Sequence, residues 1–233
     1  MTSSSRNASP VTASAPGTGK LITLEGGEGA GKSTVLAAVR ELLVARGIDA
    51  VVTREPGGTP AGEAIRAVLL DPALRGLCAE TELLLMFASR AQLVRELVRP
   101  ALAAGRWVLS DRFTDASFAY QGGGRGQPVA RIAELERWAA ADIRPDLTLL
   151  LDLPVADGLK RMSGRGAADR IEMENVEFFE RVRAAYRQRA MDDPRRFRVI
   201  DAGQPLDGVL AQVRAAIAAF VDGAALDNAG ART

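Results

Sequence analysis

One short stretch constrains this chain more than any other. Gly26-Gly27-Glu28-Gly29-Ala30-Gly31-Lys32-Ser33 fits the pattern G-x-x-x-x-G-K-[ST]. An apolar run, Leu21–Glu25, precedes it. A helical pattern, Ser33–Gly47, follows it, with Val35, Val39, Leu42 and Leu43 near 3.6-residue spacing and Gly47 at the stop. Strand, glycine-rich loop and helix in that order are the context that makes the pattern meaningful. The glycines let the backbone turn with its amides inward, so that an anion sits at a helix N-terminus. Lys32 then reaches the β- and γ-phosphates of a nucleotide, and the Ser33 hydroxyl ligates Mg²⁺. The bland alternative is a glycine-rich turn with an incidental lysine. It is weakened because Lys20, Lys32 and Lys160 are the only lysines among 30 basic residues.

The rest of the chain repeats the alternation. Ala50–Thr53, Trp107–Ser110, Leu147–Leu151 and Phe197–Ile200 read as further strands. Between them lie helical patterns: Glu80–Ala104 with a bend expected at Pro100, Val176–Met191, and Leu206–Val221. Strands apolar on both faces that alternate with helices predict a parallel sheet covered on both sides. The expected fold is therefore one three-layer α/β domain with a five-stranded parallel sheet, running from about Lys20 to Asp222. Residues 1–19 read as a small, polar, disordered tail, and Gly223–Thr233 as a frayed end. Neither a signal-peptide core nor an 18-residue apolar run is found, so the expected compartment is the cytoplasm.

Composition removes whole classes of chemistry. With no histidine and one cysteine, Cys78, the chain has no Ser-His-Asp triad, Cys-His pair or disulfide framework. Cys78 reads as a buried or loop thiol without function. A net charge of +1 gives no polyelectrolyte surface for nucleic acid or membrane.

A phosphate loop names a donor, not a reaction. No N-K-x-D motif accompanies it, which argues against a GTPase switch. A kinase needs a second anion site, and two arginines stand at strand ends: Arg54 in TREPGG and Arg112 in SDRF. A guanidinium fork suits bidentate phosphate binding. Asp111 is a candidate to hold Mg²⁺ through water, and Asp152 at the end of LTLLLD competes for that role or serves as a helix cap. The segment Arg161–Glu172, with Arg165 and Arg170, is either a solvated loop or a lid that closes over the transferring phosphoryl group. Composition does not choose between them.

Six segments then carry a resemblance to the thymidylate kinase family: ITLEGGEGAGKST, TREPGGT, FASRAQLV, SDRFTDASFAYQGGGRG, RPDLTLLLDLP and GRGAADRIE. They stand in family order and span about Lys20 to Phe220. The resemblance implies ATP-dependent phosphorylation of dTMP with Mg²⁺, in a homodimer packed through the helix around Glu82–Val98. It assigns ATP to Gly26 through Thr34, that is Gly26, Gly27, Glu28, Gly29, Ala30, Gly31, Lys32, Ser33 and Thr34. Glu28 is implied to bind the 3′-hydroxyl of the acceptor sugar as well. Arg54 and Arg112 are implied to hold the acceptor phosphate, and Arg90 the thymine base with Ser117 and Gln121 nearby. Lys32, Arg112, Arg165 and Arg170 are the implied catalytic set. Three positions depart from the family pattern. Met86 replaces the usual aromatic, so either Met86 packs on the base or Phe87 turns in, and Phe87 is the one expected; Ala116 replaces a serine; and a lid arginine is missing near Ser163. Rival readings of the same loop are a kinase for another acceptor such as dUMP, a partner-coupled ATPase, and a regulatory module without turnover.

Overall fold

The computed structural model describes residues 19–163 and 168–230. Five strands form one sheet: β1 (Leu21–Gly26), β2 (Ala50–Arg54), β3 (Trp107–Asp111), β4 (Leu147–Asp152) and β5 (Phe197–Asp201). All pair in parallel, in the order β2-β3-β1-β4-β5. Each strand runs one residue beyond the stretch predicted for it. Those added residues are Gly26, Arg54, Asp111, Asp152 and Asp201. They form the carboxyl edge of the sheet, where an α/β fold presents its ligand groups.

The helices are α1 (Lys32–Ala45), α2 (Pro60–Leu70), α3 (Ala79–Leu93), α4 (Arg99–Ala103), α5 (Thr114–Ser117), α6 (Val129–Ala139), α7 (Val155–Met162), α8 (Val176–Asp192) and α9 (Leu206–Gly230). Period-two alternation in β1 divides its side chains between the two faces. Ile22 and Leu24 meet Val35, Val39 and Leu43 of α1 and Val209, Val213 and Ile217 of α9. Leu21 meets Leu93, Val98 and Val108 on the opposite face. On that face α8 supplies Phe178, Val182 and Tyr186 against Leu150 and Phe197. Fully buried leucines of this kind cost about 2–5 kcal/mol each when cut to alanine, so the sheet is a firm platform for its carboxyl edge.

Two expectations need correction. The bend assigned to Pro100 begins earlier: after α3 the chain makes a π-helical stretch, Val94–Val98, before α4. Pro100 lacks an N–H and its ring crowds the carbonyl four residues back, so the disturbance falls on the preceding turn. The C-terminal helix also does not end near Asp222. It continues through Gly223-Ala224-Ala225-Leu226 to Gly230, and Ala224 is buried. Alanine's helix propensity outweighs one exposed glycine. Cys78 is exposed, at the N-terminus of α3.

Candidate active site

The loop between β1 and α1 has the backbone its glycines permit. Gly29 and Gly31 have φ of 71° and 90°, which side chains other than glycine's rarely tolerate. A Cβ on Gly29 would lie 2.3 Å from the Gly158 carbonyl of α7. The loop is thus pressed against α7. Gly31 caps α1 without a side-chain bond. The first-turn amides therefore keep their donors for an anion, reinforced by the helix dipole.

Lys32 lies back along this loop. Its Nζ donates to the carbonyls of Gly26 at 3.2 Å and Gly27 at 2.9 Å. Burial, then the charge of Arg112, lowers its pKa to about 8, against the opposing pull of Glu28, Asp111 and Glu25. Arg112 reaches the same place from the end of β3. Its Nη1 donates to the Gly26 carbonyl at 3.1 Å, and its Nη2 pairs with Glu28 Oε1. Arg112 itself has φ 69°, an uncommon value that is held by flanking bonds. The Arg112 N–H donates to the Leu24 carbonyl at 2.9 Å, and the Phe113 N–H to Glu25 Oε1 at 2.7 Å. Tyr120 also donates to Glu28 Oε1, at 2.8 Å. Burial pushes the Glu28 carboxyl up, but Arg112, Lys32 and the Tyr120 bond prevail and hold it at about 2. Glu28 is therefore an ionised acceptor shared between the donor loop and the neighbouring cavity.

That cavity has a volume of about 170 Å³. Its walls include Glu28, Arg66, Met86, Arg90, Arg112 and Gln121, with Ser117 and Ala116 alongside. Arg90 is 2% exposed and heavily engaged. It donates to Glu55 Oε2 at 2.7 Å, Ser117 Oγ at 2.9 Å and the Phe113 carbonyl at 3.0 Å. A guanidinium has five N–H donors, so at least one remains for a ligand. Gln121 Oε1 is buried with no partner among the described residues.

Asp111 and Ser33 bear on Mg²⁺. Asp111 Oδ1 is buried without a partner among the described residues, and Ser33 stands exposed at the start of α1. Hard oxygen donors few in number suit Mg²⁺, which keeps waters and phosphate oxygens as its other ligands. Asp152, the competing candidate, forms a two-point ion pair with Arg183 at 2.7 and 3.0 Å.

Three site expectations change. Phe87 does not turn towards the base pocket. It is 1% exposed and packs with Leu83, Phe118 and Ile132, while Met86 forms the cavity wall. Adjacent helical residues point about 100° apart, so only one of the two can face the cavity. Arg54 does not line the cavity; it pairs with Glu63 at 2.9 Å on the exposed edge of the sheet. Arg66 lines it instead, anchored by a bond from Nη1 to the Pro56 carbonyl at 2.9 Å. Arg170 is not at the phosphate loop. It is buried between α2 and α3, donating to the Leu69 carbonyl at 2.7 Å and to Glu82 at 2.7 Å. Arg165 lies outside the described residues. Sequence reasoning missed Arg66, Tyr120 as a partner of Glu28, and Gly158. Only Tyr120 left a signal, because it stands in the AYQGGG run.

Comparison with known proteins agrees with this geometry. A sequence model described as thymidylate kinase matches residues 24–213. The thymidylate kinase of Ectopseudomonas mendocina (strain ymp) is 55% identical over 205 residues, 88% of this chain and 98% of that protein. That of Pseudomonas fluorescens (strain Pf0-1) is 60% identical over 189 residues, 81% of this chain and 90% of that protein. That of Halorhodospira halophila is 55% identical over 202 residues, 86% of this chain and 94% of that protein. With a phosphate loop and a second, arginine-lined cavity joined by Glu28, the chain belongs to the thymidylate kinase family.

Proposed function

We propose that this kinase transfers the γ-phosphoryl group of ATP to dTMP, giving ADP and dTDP. The observation that carries the reading is Glu28. It belongs to the donor loop by sequence and to the acceptor cavity by position, and Arg112 ties the two sites together. Donor and acceptor phosphates then meet beside Lys32 and Arg112.

An oxygen of the dTMP phosphate attacks the γ-phosphorus. The bond to the β-bridging oxygen breaks, and its electron pair leaves on ADP. The attacking oxygen is already anionic, so no general base is required, which suits a chain without histidine. Catalysis is then alignment plus neutralisation of charge. Lys32 exchanges its two carbonyl partners for phosphate oxygens, and the α1 amides cradle them. Arg112 and Arg66 take the acceptor phosphate, Glu28 the sugar hydroxyl, and Arg90, Ser117 and Gln121 the base. Asp111 Oδ1, which has no partner among the described residues, and the Ser33 hydroxyl support these two as the protein side of a Mg²⁺ site. Bound there, Mg²⁺ would neutralise charge on the β- and γ-phosphates.

The same reading includes a homodimer in the cytoplasm. Leu84 of α3 and Trp138 of α6 are 59% and 71% exposed and border one shallow apolar groove. No helix among the described residues is long and apolar enough to cross a membrane.

The test is ADP release with ATP–Mg²⁺ alone and then with a panel of nucleosides and monophosphates, dUMP included. Release that depends on dTMP is expected. Equal release without any acceptor would overturn the proposal.

A further inference from the structure

Glu82 lies on α3, is 0% exposed, and does not border the acceptor cavity. Its Oε1 accepts from Gln121 Nε2 at 2.9 Å and from Arg125 Nε at 3.2 Å. Its Oε2 accepts from Arg125 Nη2 at 3.1 Å and Arg170 Nη2 at 2.7 Å. Both arginines are fixed at their far sides, Arg125 by Glu174 at 2.6 Å and Arg170 by the Leu69 carbonyl at 2.7 Å. Burial alone would raise the Glu82 carboxyl, but the bonds from Arg125 and Gln121 overcome it, and the group is held below the usual range.

An ionised carboxylate can only accept hydrogen bonds. Gln121 must therefore meet Glu82 with its NH₂ end, and the amide cannot turn round without placing oxygen against oxygen. Its Oε1 is the atom left over: buried, unpartnered among the described residues, on a side chain that lines the cavity. Arg90, on the wall of the same cavity, can only donate. The cavity thus offers Gln121 Oε1 as an acceptor and Arg90 as a donor, with Glu55 Oε1 a second buried acceptor that has no partner among the described residues.

We propose that Glu82 is a positioning residue that sets this polarity and so selects the base. By holding Gln121 Nε2 it presents Oε1 to a ring N–H, while the Arg90 guanidinium meets a ring carbonyl. That is the imide edge of thymine or uracil. Cytosine presents the reverse, a ring-nitrogen acceptor beside an amino donor, and would leave buried polar groups unpaired on both sides. The inference rests on the reading that this cavity receives the base of a nucleoside monophosphate.

The experiment measures kcat and KM for dTMP and dCMP with ATP–Mg²⁺ on the full chain. In Glu82→Gln the new amide can donate as well as accept, so Gln121 is released from its fixed orientation. The ratio of kcat/KM for dTMP over dCMP should fall at least about tenfold, through KM and not kcat, with KM for ATP little changed. A merely structural role would lower Tm and weaken both substrates equally. A folded Glu82→Gln variant with an unchanged ratio overturns the proposal. Glu82→Asp keeps an acceptor-only group and should hold the ratio within about threefold even where KM rises. A folded Asp variant that loses the preference overturns it too, and decides the matter where the Gln variant does not fold. A wild-type chain that does not prefer dTMP to dCMP removes the functional reading itself, an outcome visible before any variant is made.

Discussion

Two regions of this molecule bury charge in opposite ways. Around the phosphate loop, Lys32 rests on the carbonyls of Gly26 and Gly27, Arg112 shares the Gly26 carbonyl, and Asp111 Oδ1 has no partner among the described residues. Around Glu82 both carboxylate oxygens are met by two guanidiniums and an amide, each fixed in turn. The first region has charge that can be handed to a ligand. The second has charge already neutralised within the protein. Burial and ion pairing look alike in both. What separates them is whether the charged atoms keep unused bonding capacity, and that property marks where chemistry is done.

Arg170 tests the contrast most severely. Its motif position suggests a catalytic lid arginine, but its bonds belong to the saturated region. Removing one partner of a buried ion pair costs about 3–5 kcal/mol. Arg170→Ala should therefore lose stability of that order, which corresponds to a Tm drop of roughly 6–20 °C for a chain this long. Differential scanning calorimetry checks it. A variant with native Tm and a collapsed kcat would put Arg170 back among the catalytic groups.

Lys32 is the mirror case. Lys32→Ala removes a group bonded only to two carbonyls, of which that of Gly26 keeps Arg112 Nη1 as a donor and that of Gly27 belongs to a half-buried residue. Activity should fall at least about a hundredfold, the range for deleting one preorganised electrostatic group, while Tm shifts little. Unchanged steady-state turnover would remove the donor assignment.

These two residues also show what a sequence displays and what it hides. The phosphate site is contiguous: the loop, its strand and its helix are neighbours in the chain, and the spacing of glycines and lysine reports their joint geometry. The sheet was equally legible, because buried parallel strands are plain apolar runs. The Glu82 cluster draws on Leu69, Glu82, Gln121, Arg125, Arg170 and Glu174, which only tertiary folding brings together. In sequence Glu82 is one acid in the first turn of a helix, where an acid is expected for helix-dipole reasons. The choice between Met86 and Phe87 was hidden for a related reason: both are apolar helix residues, and only the rotation of α3 against the core decides which one faces the cavity.

A third prediction comes from pH. Lys32 is charged below its pKa of about 8 and neutral above it. The cationic form binds phosphate, so kcat/KM for ATP should be level below pH 8 and fall above it. The fall approaches tenfold per pH unit, or 1.36 kcal/mol. A bound nucleotide adds negative charge and raises this pKa, so kcat measured at saturating ATP should hold to a higher pH. A profile of kcat/KM that stays flat to pH 10 would show that Lys32 is not depressed in the free enzyme. The saturated region contributes nothing to this window, because Glu82 is held below the usual carboxylate range.

The smallest expected effect separates two arginines that stand twelve residues apart in the sequence, Arg54 and Arg66. Arg54 ends β2 and pairs with Glu63 at an exposed edge, whereas Arg66, one helical turn beyond Glu63, lines the acceptor cavity. The alternation of β2 explains this. Thr53 is turned inward and buried, so Arg54 must project to the other side. Glu63 then holds it there while also accepting from the Gly58 N–H at 2.8 Å. An exposed pair of this kind is worth about 0.2–1 kcal/mol, so Arg54→Ala should change KM for dTMP by no more than about fivefold. Arg66→Ala removes a guanidinium from the cavity and should raise that KM by about tenfold or more, the loss expected for a charged hydrogen bond. Initial rates with dTMP varied at saturating ATP distinguish the two. If Arg54→Ala proves the more damaging, Arg54 must leave Glu63 to reach the acceptor phosphate, and the exposed edge would share the readiness seen around Lys32.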